Sequence, residues 1–164
     1  MQSAIPGLLE IADIPYTGAG ILGLSLVCNK FLVKKILEQN GVPVPRYQMV
    51  KSPSEQIDPT LRYPLISKLN EVHGAVEITK DAVSENEEHL VNRIRNLTSV
   101  YKQSVLIEEF IVGREITGML LQGVNQKVYT AEKIFDKTDN KYILETYDAN
   151  WGNGPSFNYK KYPN

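Results

Sequence analysis

Several things are scarce in this 164-residue chain, and each absence narrows what it can be. Cys28 is the single cysteine, so no internal disulfide can form, which suits a reducing compartment better than secretion. Within the apolar run ILGLSLVC it reads as a small buried hydrophobe rather than a nucleophile. Net charge is nearly absent, with 18 Lys+Arg against 19 Asp+Glu, so no broad field draws the chain to nucleic acid or to an anionic membrane. Any phosphate it binds must be held by local charge. No stretch approaches the roughly 20 apolar residues of a membrane span. The start, MQSAIPGLLEIADIPYTG, has no basic segment followed by a long apolar one, so the expected location is the cytoplasm. His73 and His89 are too few for a zinc site, and Glu71, His73 and Glu77 form no tetrahedral set. The patterns GxxxxGK[ST], HExxH, CxxC and GxSxG are all missing, which leaves the P-loop, zincin, zinc-ribbon and α/β-hydrolase readings without support.

What is present is an ordinary globular composition, 42% hydrophobic, enough for one domain or two small lobes. Periodicity supplies the organisation. Residues 17–28 read as a short apolar helix started by Thr17, and 29–40 as a second with Asn29 as N-cap and Gly41 as its stop. Val42-Pro43-Val44-Pro45 forces extended backbone. Ser52-Pro53-Ser54-Glu55 carries capping-box spacing for a short helix, and Ser84-Glu85-Asn86-Glu87 repeats the signal. After the second, Leu90, Ile94, Leu97 and Tyr101 recur on one face, predicting a helix over 84–101. Strands are expected at Pro64–Lys68, Ala75–Thr79, Ser104–Phe110, Glu115–Gln122, Lys127–Ile134 and Tyr142–Tyr147, with a hairpin turn at 123–126. The order predicts an α+β chain of mainly antiparallel sheets, with a boundary near 102–104.

Gly18-Ala19-Gly20-Ile21-Leu22-Gly23 matches the dinucleotide fingerprint GxGxxG. That fingerprint needs a buried parallel strand in front of it, whereas Ala12-Asp13-Ile14-Pro15-Tyr16 is short and broken by proline. A tight entry into a helix is the better reading. Two other segments are chemically unusual. Lys68 ends a hydrophobic strand on the face of Ile66, where an ammonium needs a partner or a phosphate, and the loop Glu71-Val72-His73-Gly74-Ala75 follows it. The run Val105–Thr117 ends a hydrophobic strand in Glu108-Glu109, turns at Gly113 and restarts with Glu115, so that two carboxylates could flank a crevice.

Ile14-Pro15-Tyr16-Thr17-Gly18, the Asn29-Lys30 helix start, Gly41-Val42-Pro43-Val44-Pro45, Pro64–Lys68, Leu106–Ile116 and Thr146-Tyr147-Asp148-Ala149-Asn150-Trp151 stand in one order. In that order and spacing the chain resembles D-alanine–D-alanine ligases and their ATP-grasp relatives. The resemblance implies an ATP-grasp fold, with residues 1–16 as the tail of a preceding substrate domain, 17–102 as a first lobe and 103–164 as the start of a second. It also implies an ATP site. Lys30 and Lys68 would be the phosphate-contacting lysines, and Glu71, His73, Gly74 and Ala75 would belong to the lid loop. Glu108, with Glu109 beside it, would accept from the adenine amino group, Ile111 would make the hinge contact to adenine, and Glu115 would accept from the ribose hydroxyls. Asn150 stands where the relatives generally carry a lysine, and the loop keeps one Gly and no Ser. The resemblance further implies a small amino-acid-like substrate, and magnesium held by residues that would follow Asn164. No catalytic or metal residue is therefore assigned within the chain, which is expected not to catalyse ligation alone. A degenerate, non-catalytic nucleotide-binding module is the alternative.

Overall fold

The structure, a computed structural model, describes residues 3–121, 127–136, 141–153 and 156–161. Three helices open the chain, α1 (Ala4–Ile11), α2 (Ile21–Val27) and α3 (Lys30–Gln39). Strands β1 (Tyr47–Val50), β2 (Leu65–Leu69) and β3 (Val83–Ser84) follow, with a 3-10 turn at Lys80–Ala82, and then α4 (Glu87–Tyr101). The remainder is β4 (Val105–Glu109), β5 (Glu115–Leu121), β6 (Lys127–Phe135), α5 (Tyr147–Trp151) and β7 (Phe157–Lys161).

Local chemistry explains where the helices begin and stop. Asn29 caps α3 by accepting from the Leu32 amide at 2.9 Å, and Gly41 follows the helix at φ +71, a conformation that favours glycine. Asn86 caps α4, accepting from the His89 amide at 2.9 Å, while Glu87 and Glu88 complement the positive end of the helix. The helix therefore starts later than the expected 84, because Ser84 is used by β3. Leu90, Ile94 and Leu97 bury the predicted face against the sheet.

The first sheet has the antiparallel order β1-β4-β2-β3, and the second has β5-β6-β7. In the first sheet, Leu65, Leu69, Val105, Ile107 and Val50 pack under α4. Alternation turns Ile66, Lys68 and Glu108 to the opposite face, where Ile66 pairs across from Glu108.

The α+β class with antiparallel sheets holds, but several local expectations do not. Ala75–Thr79 is a series of turns, since Ala75 and Glu77 sit at φ 58 and 62, outside the extended region a strand needs. Tyr142–Tyr147 is not a strand; Thr146 instead caps α5 through the Ala149 amide at 3.1 Å. At 52–55 the cap forms, with Glu55 accepting from the Lys51 and Ser52 amides at 2.7 and 3.0 Å, yet no helix grows from it. Pro59 forces Asp58 extended before a second turn can propagate. α2 begins at Ile21 rather than at Thr17, and α1, β1, β3 and β7 are additional elements. By strand pairing β4 belongs to the first sheet, and the second sheet begins with β5 at Glu115. The turn expected at 123–126 lies outside the described residues.

Candidate functional site

The cleft-facing side of the first sheet meets the start of the second in a cavity of about 420 Å³. Lys30, Lys68, Glu108, Glu109, Ile111 and Glu115 line it, together with Pro45, Ile66, Ile78, Phe110, Leu144 and Glu145. A second cavity, of about 230 Å³, shares Lys30 and Lys68 and is bounded by His73, Gly74 and Ala75 of the loop. The two lysines thus stand where the cleft passes under the loop. Ile66, Ile78, Ile111 and Leu144 give the other end of the cleft apolar walls.

Glu108 organises the charge. It is 5% exposed, and its two oxygens engage separate ammonium groups, Lys68 on Oε1 and Lys34 on Oε2, the latter at 2.6 Å. Burial pushes its carboxyl up, and Lys68 and Lys34 more than reverse this, so it is held below the usual carboxylate range. Lys30 donates to the carbonyls of Leu69 (2.9 Å) and Val72, fastening the end of β2 to the start of the loop. Burial, and then the like charge of Lys68, hold it below the usual lysine range. With three donors on each ammonium, both lysines keep capacity for an anion.

On the far wall, Glu115 opens β5 opposite Lys133 of β6. Burial raises its carboxyl above the usual range and outweighs Lys133. Lys133 is itself paired with Glu145, whose carboxyl burial pushes up but hydrogen bonds from Lys133 and Asn150 bring below the ordinary value. The loop is braced from behind. Arg93 of α4 reaches Glu77 at 3.0 Å, and the Tyr101 hydroxyl donates to the same carboxylate at 2.8 Å.

This is a polar end with two ammonium groups, an adjoining loop, and an apolar slot flanked by carboxylates. It fits an anionic ligand with a flat apolar body. The family model described as the D-ala D-ala ligase C-terminus matches residues 36–156. The chain belongs to that family. It is 38% identical over 145 residues to the D-alanine–D-alanine ligase of Carboxydothermus hydrogenoformans, covering 84% of this chain and 45% of that protein. The D-alanine–D-alanine ligase of Bacillus anthracis superposes with a TM-score of 0.63 at 20% identity, over 97% of this chain and 49% of that one. Its structure complexed with ATP gives 0.61 at 22% identity, over 97% and 48%. The fold is the α+β ATP-grasp fold, and the chain spans about half the length of the relatives it matches.

Of the residues proposed from sequence, Lys30, Lys68, Glu108, Glu109, Ile111 and Glu115 are brought to one cleft, and His73, Gly74 and Ala75 to the adjoining cavity. Glu109 lines the cleft, but alternation turns its carboxylate away, and it accepts from the Arg62 amide at 2.9 Å. Glu71 is exposed and lines neither cavity; its amide donates to the Gln103 side chain at 3.2 Å. Asn150 also lies off both linings, on α5, with its side chain donating to the Thr146 carbonyl at 3.3 Å and hydrogen-bonded to the cleft-lining Glu145. Sequence reasoning missed Lys34, Lys133, Glu145 and Leu144. Lys34 carried one legible signal, its i+4 spacing from Lys30 on the same helix face.

Proposed function

We propose that the cleft binds ATP and that the chain is the ATP-binding portion of an ATP-dependent carboxylate–amine ligase. The observation that carries this is the convergence of Lys30, Lys68, Glu108, Ile111 and Glu115, from separate segments of the chain, on one cavity roomy enough for a nucleotide. The apolar slot between Ile66, Leu144 and Ile111 takes the base, with Glu108 accepting from its amino group. Glu115 accepts from the ribose. Lys30 and Lys68 meet the phosphates under the loop, where preorganised positive charge offsets the charge of the transferring phosphoryl group.

The proposed chemistry of the whole protein has two steps. A substrate carboxylate oxygen attacks the terminal phosphorus and ADP leaves, giving an acyl phosphate; an amine then attacks the acyl carbon, loses a proton and expels phosphate. The substrate is a small amino acid, as the names of the relatives suggest. Magnesium, which such a ligase would use, does not find a ligand set among the described residues. Among the described residues no three of His, Cys, Asp and Glu group closely enough to hold a metal ion, Glu108 is held by two lysines and Glu145 by Lys133. No helix of the described residues is long and apolar enough to cross a membrane, and a cytoplasmic setting fits the lone Cys28.

A second reading, a non-catalytic nucleotide-binding module, draws on Asn150, a neutral amide bonded back to its own helix where the ligases carry an ammonium. Calorimetric titration with ADP and ATP tests the binding site common to both readings. Lys68→Ala is expected to weaken ATP and ADP by about tenfold or more while leaving adenosine little changed, as expected for loss of a charged hydrogen-bond donor. Glu115→Ala is expected to weaken all three. Unchanged binding in both variants would remove the nucleotide assignment.

A further inference from the structure

Lys34 stands behind the cleft rather than in it. It leaves α3 one turn after Lys30, its side chain is 13% exposed, and its ammonium reaches Glu108 Oε2 at 2.6 Å with the Tyr47 ring 5.4 Å away. Tyr47 lies on β1 directly across from Glu108, so the lysine is closed in between helix and sheet. It does not line the cleft, and the cleft residue it touches is Glu108. Whatever it does, it does through Glu108.

A carboxylate offers only acceptors while ionised, whereas its protonated form also donates. Glu108 is almost wholly buried, and burial alone favours the protonated form. Lys68 opposes this but is also drawn toward the cleft, where any phosphate competes for it. Lys34 faces no such competition. We propose that Lys34 is the positioning residue that fixes Glu108 as a pure acceptor toward the base and so sets a preference for 6-aminopurines over 6-oxopurines. The inference rests on the nucleotide reading above. Its physical basis is that a 6-amino group donates to a fixed carboxylate, while a 6-oxo group meets it acceptor to acceptor.

The test compares dissociation constants for ADP, IDP and AMP in the wild-type chain and in Lys34→Met, Lys34→Gln and Lys34→Arg, with folding checked by circular dichroism. Wild type should favour ADP over IDP. In Lys34→Met and Lys34→Gln that preference should fall by about tenfold, the scale of one charged hydrogen bond. The ADP-to-AMP ratio, which reads the phosphate end, should stay within twofold, and Lys34→Arg should keep most of the base preference. Uniform weakening of all three nucleotides would mean a merely structural role and would overturn the proposal, as would a wild-type preference retained in folded Lys34→Met or Lys34→Gln. Should those two variants not fold, a Lys34→Arg chain that folds but loses the preference overturns it equally. A wild-type chain that binds no nucleotide refutes the nucleotide reading itself, whereas one that binds ADP and IDP alike leaves that reading standing and overturns the proposal.

Discussion

The two sheets are built from similar strands and end in opposite conditions. In the first, α4 covers one face and Val50, Leu65, Leu69, Leu90, Ile94, Leu97, Val105 and Ile107 form a closed core. In the second, β5 and β7 each pair in register with β6, yet Ile116, Met119, Leu120, Leu121, Val128 and Ile134 remain exposed. Backbone pairing alone thus gives strands and register, while a core needs a second layer laid on the sheet. The same difference governs charge. Glu108 of the first sheet is buried between two ammonium groups, whereas Glu115 of the second is half-buried and opposes a lysine that Glu145 already holds.

The sharpest way to break this comparison is to delete apolar volume from each sheet region. Leu90→Ala, at a residue 0% exposed, should lower stability by about 2–5 kcal/mol in urea denaturation. Leu120→Ala, at 63% exposed, should change it by no more than about 0.5 kcal/mol. Equal losses would show that the second sheet buries its strands in solution.

Charge gives the next largest effect. Glu108→Gln leaves Lys34 and Lys68 without their counter-charge, and should cost about 3 kcal/mol at neutral pH, the low end for a broken buried pair because Lys68 is part-exposed. The carboxyl is depressed in the folded chain, so its contribution is present above the unfolded carboxylate range and is lost as pH falls through the folded value. Acid titration of stability should therefore show wild type and Glu108→Gln converging as the pH drops. Parallel curves would argue against the ion-pair account.

Glu115 should behave with the opposite sign, and more weakly. Its carboxyl is raised in the folded chain, so the proton is bound more tightly there than in the unfolded state, and stability falls as pH rises from the usual carboxylate range through the raised value. Glu115→Gln should remove that slope and raise the melting temperature at neutral pH by roughly 1–2 °C for a chain of this size. Thermal melts across mildly acid to neutral pH check it, and a wild-type chain that stabilises through that window would reverse the assignment.

Local signals in the sequence were sufficient where one element satisfies itself. The period of Leu90, Ile94 and Leu97 marked α4, Asn29 and Gly41 marked the ends of α3, and the runs of β2, β4, β5 and β6 stood out as strands. Six of the proposed ligand residues reached one cleft because the family resemblance carried their joint order, which no single motif did.

Other features depend on neighbours and were illegible. Tyr47–Val50 becomes a strand only because β4 offers it an edge, and Ala75–Thr79 fails to be one because Arg93 and Tyr101 hold Glu77 in a turn from across the chain. Lys34 shows the limit most clearly. Its residue type and i+4 spacing were in the sequence, but its partner lies 74 positions along, on a strand brought beside α3 by the sheet. The sequence by itself determined which segments could be helix or strand, since capping, turn conformation and side-chain period act over a few residues. Only the tertiary structure decided which charges meet, because burial and ion pairing depend on distance through space rather than along the chain.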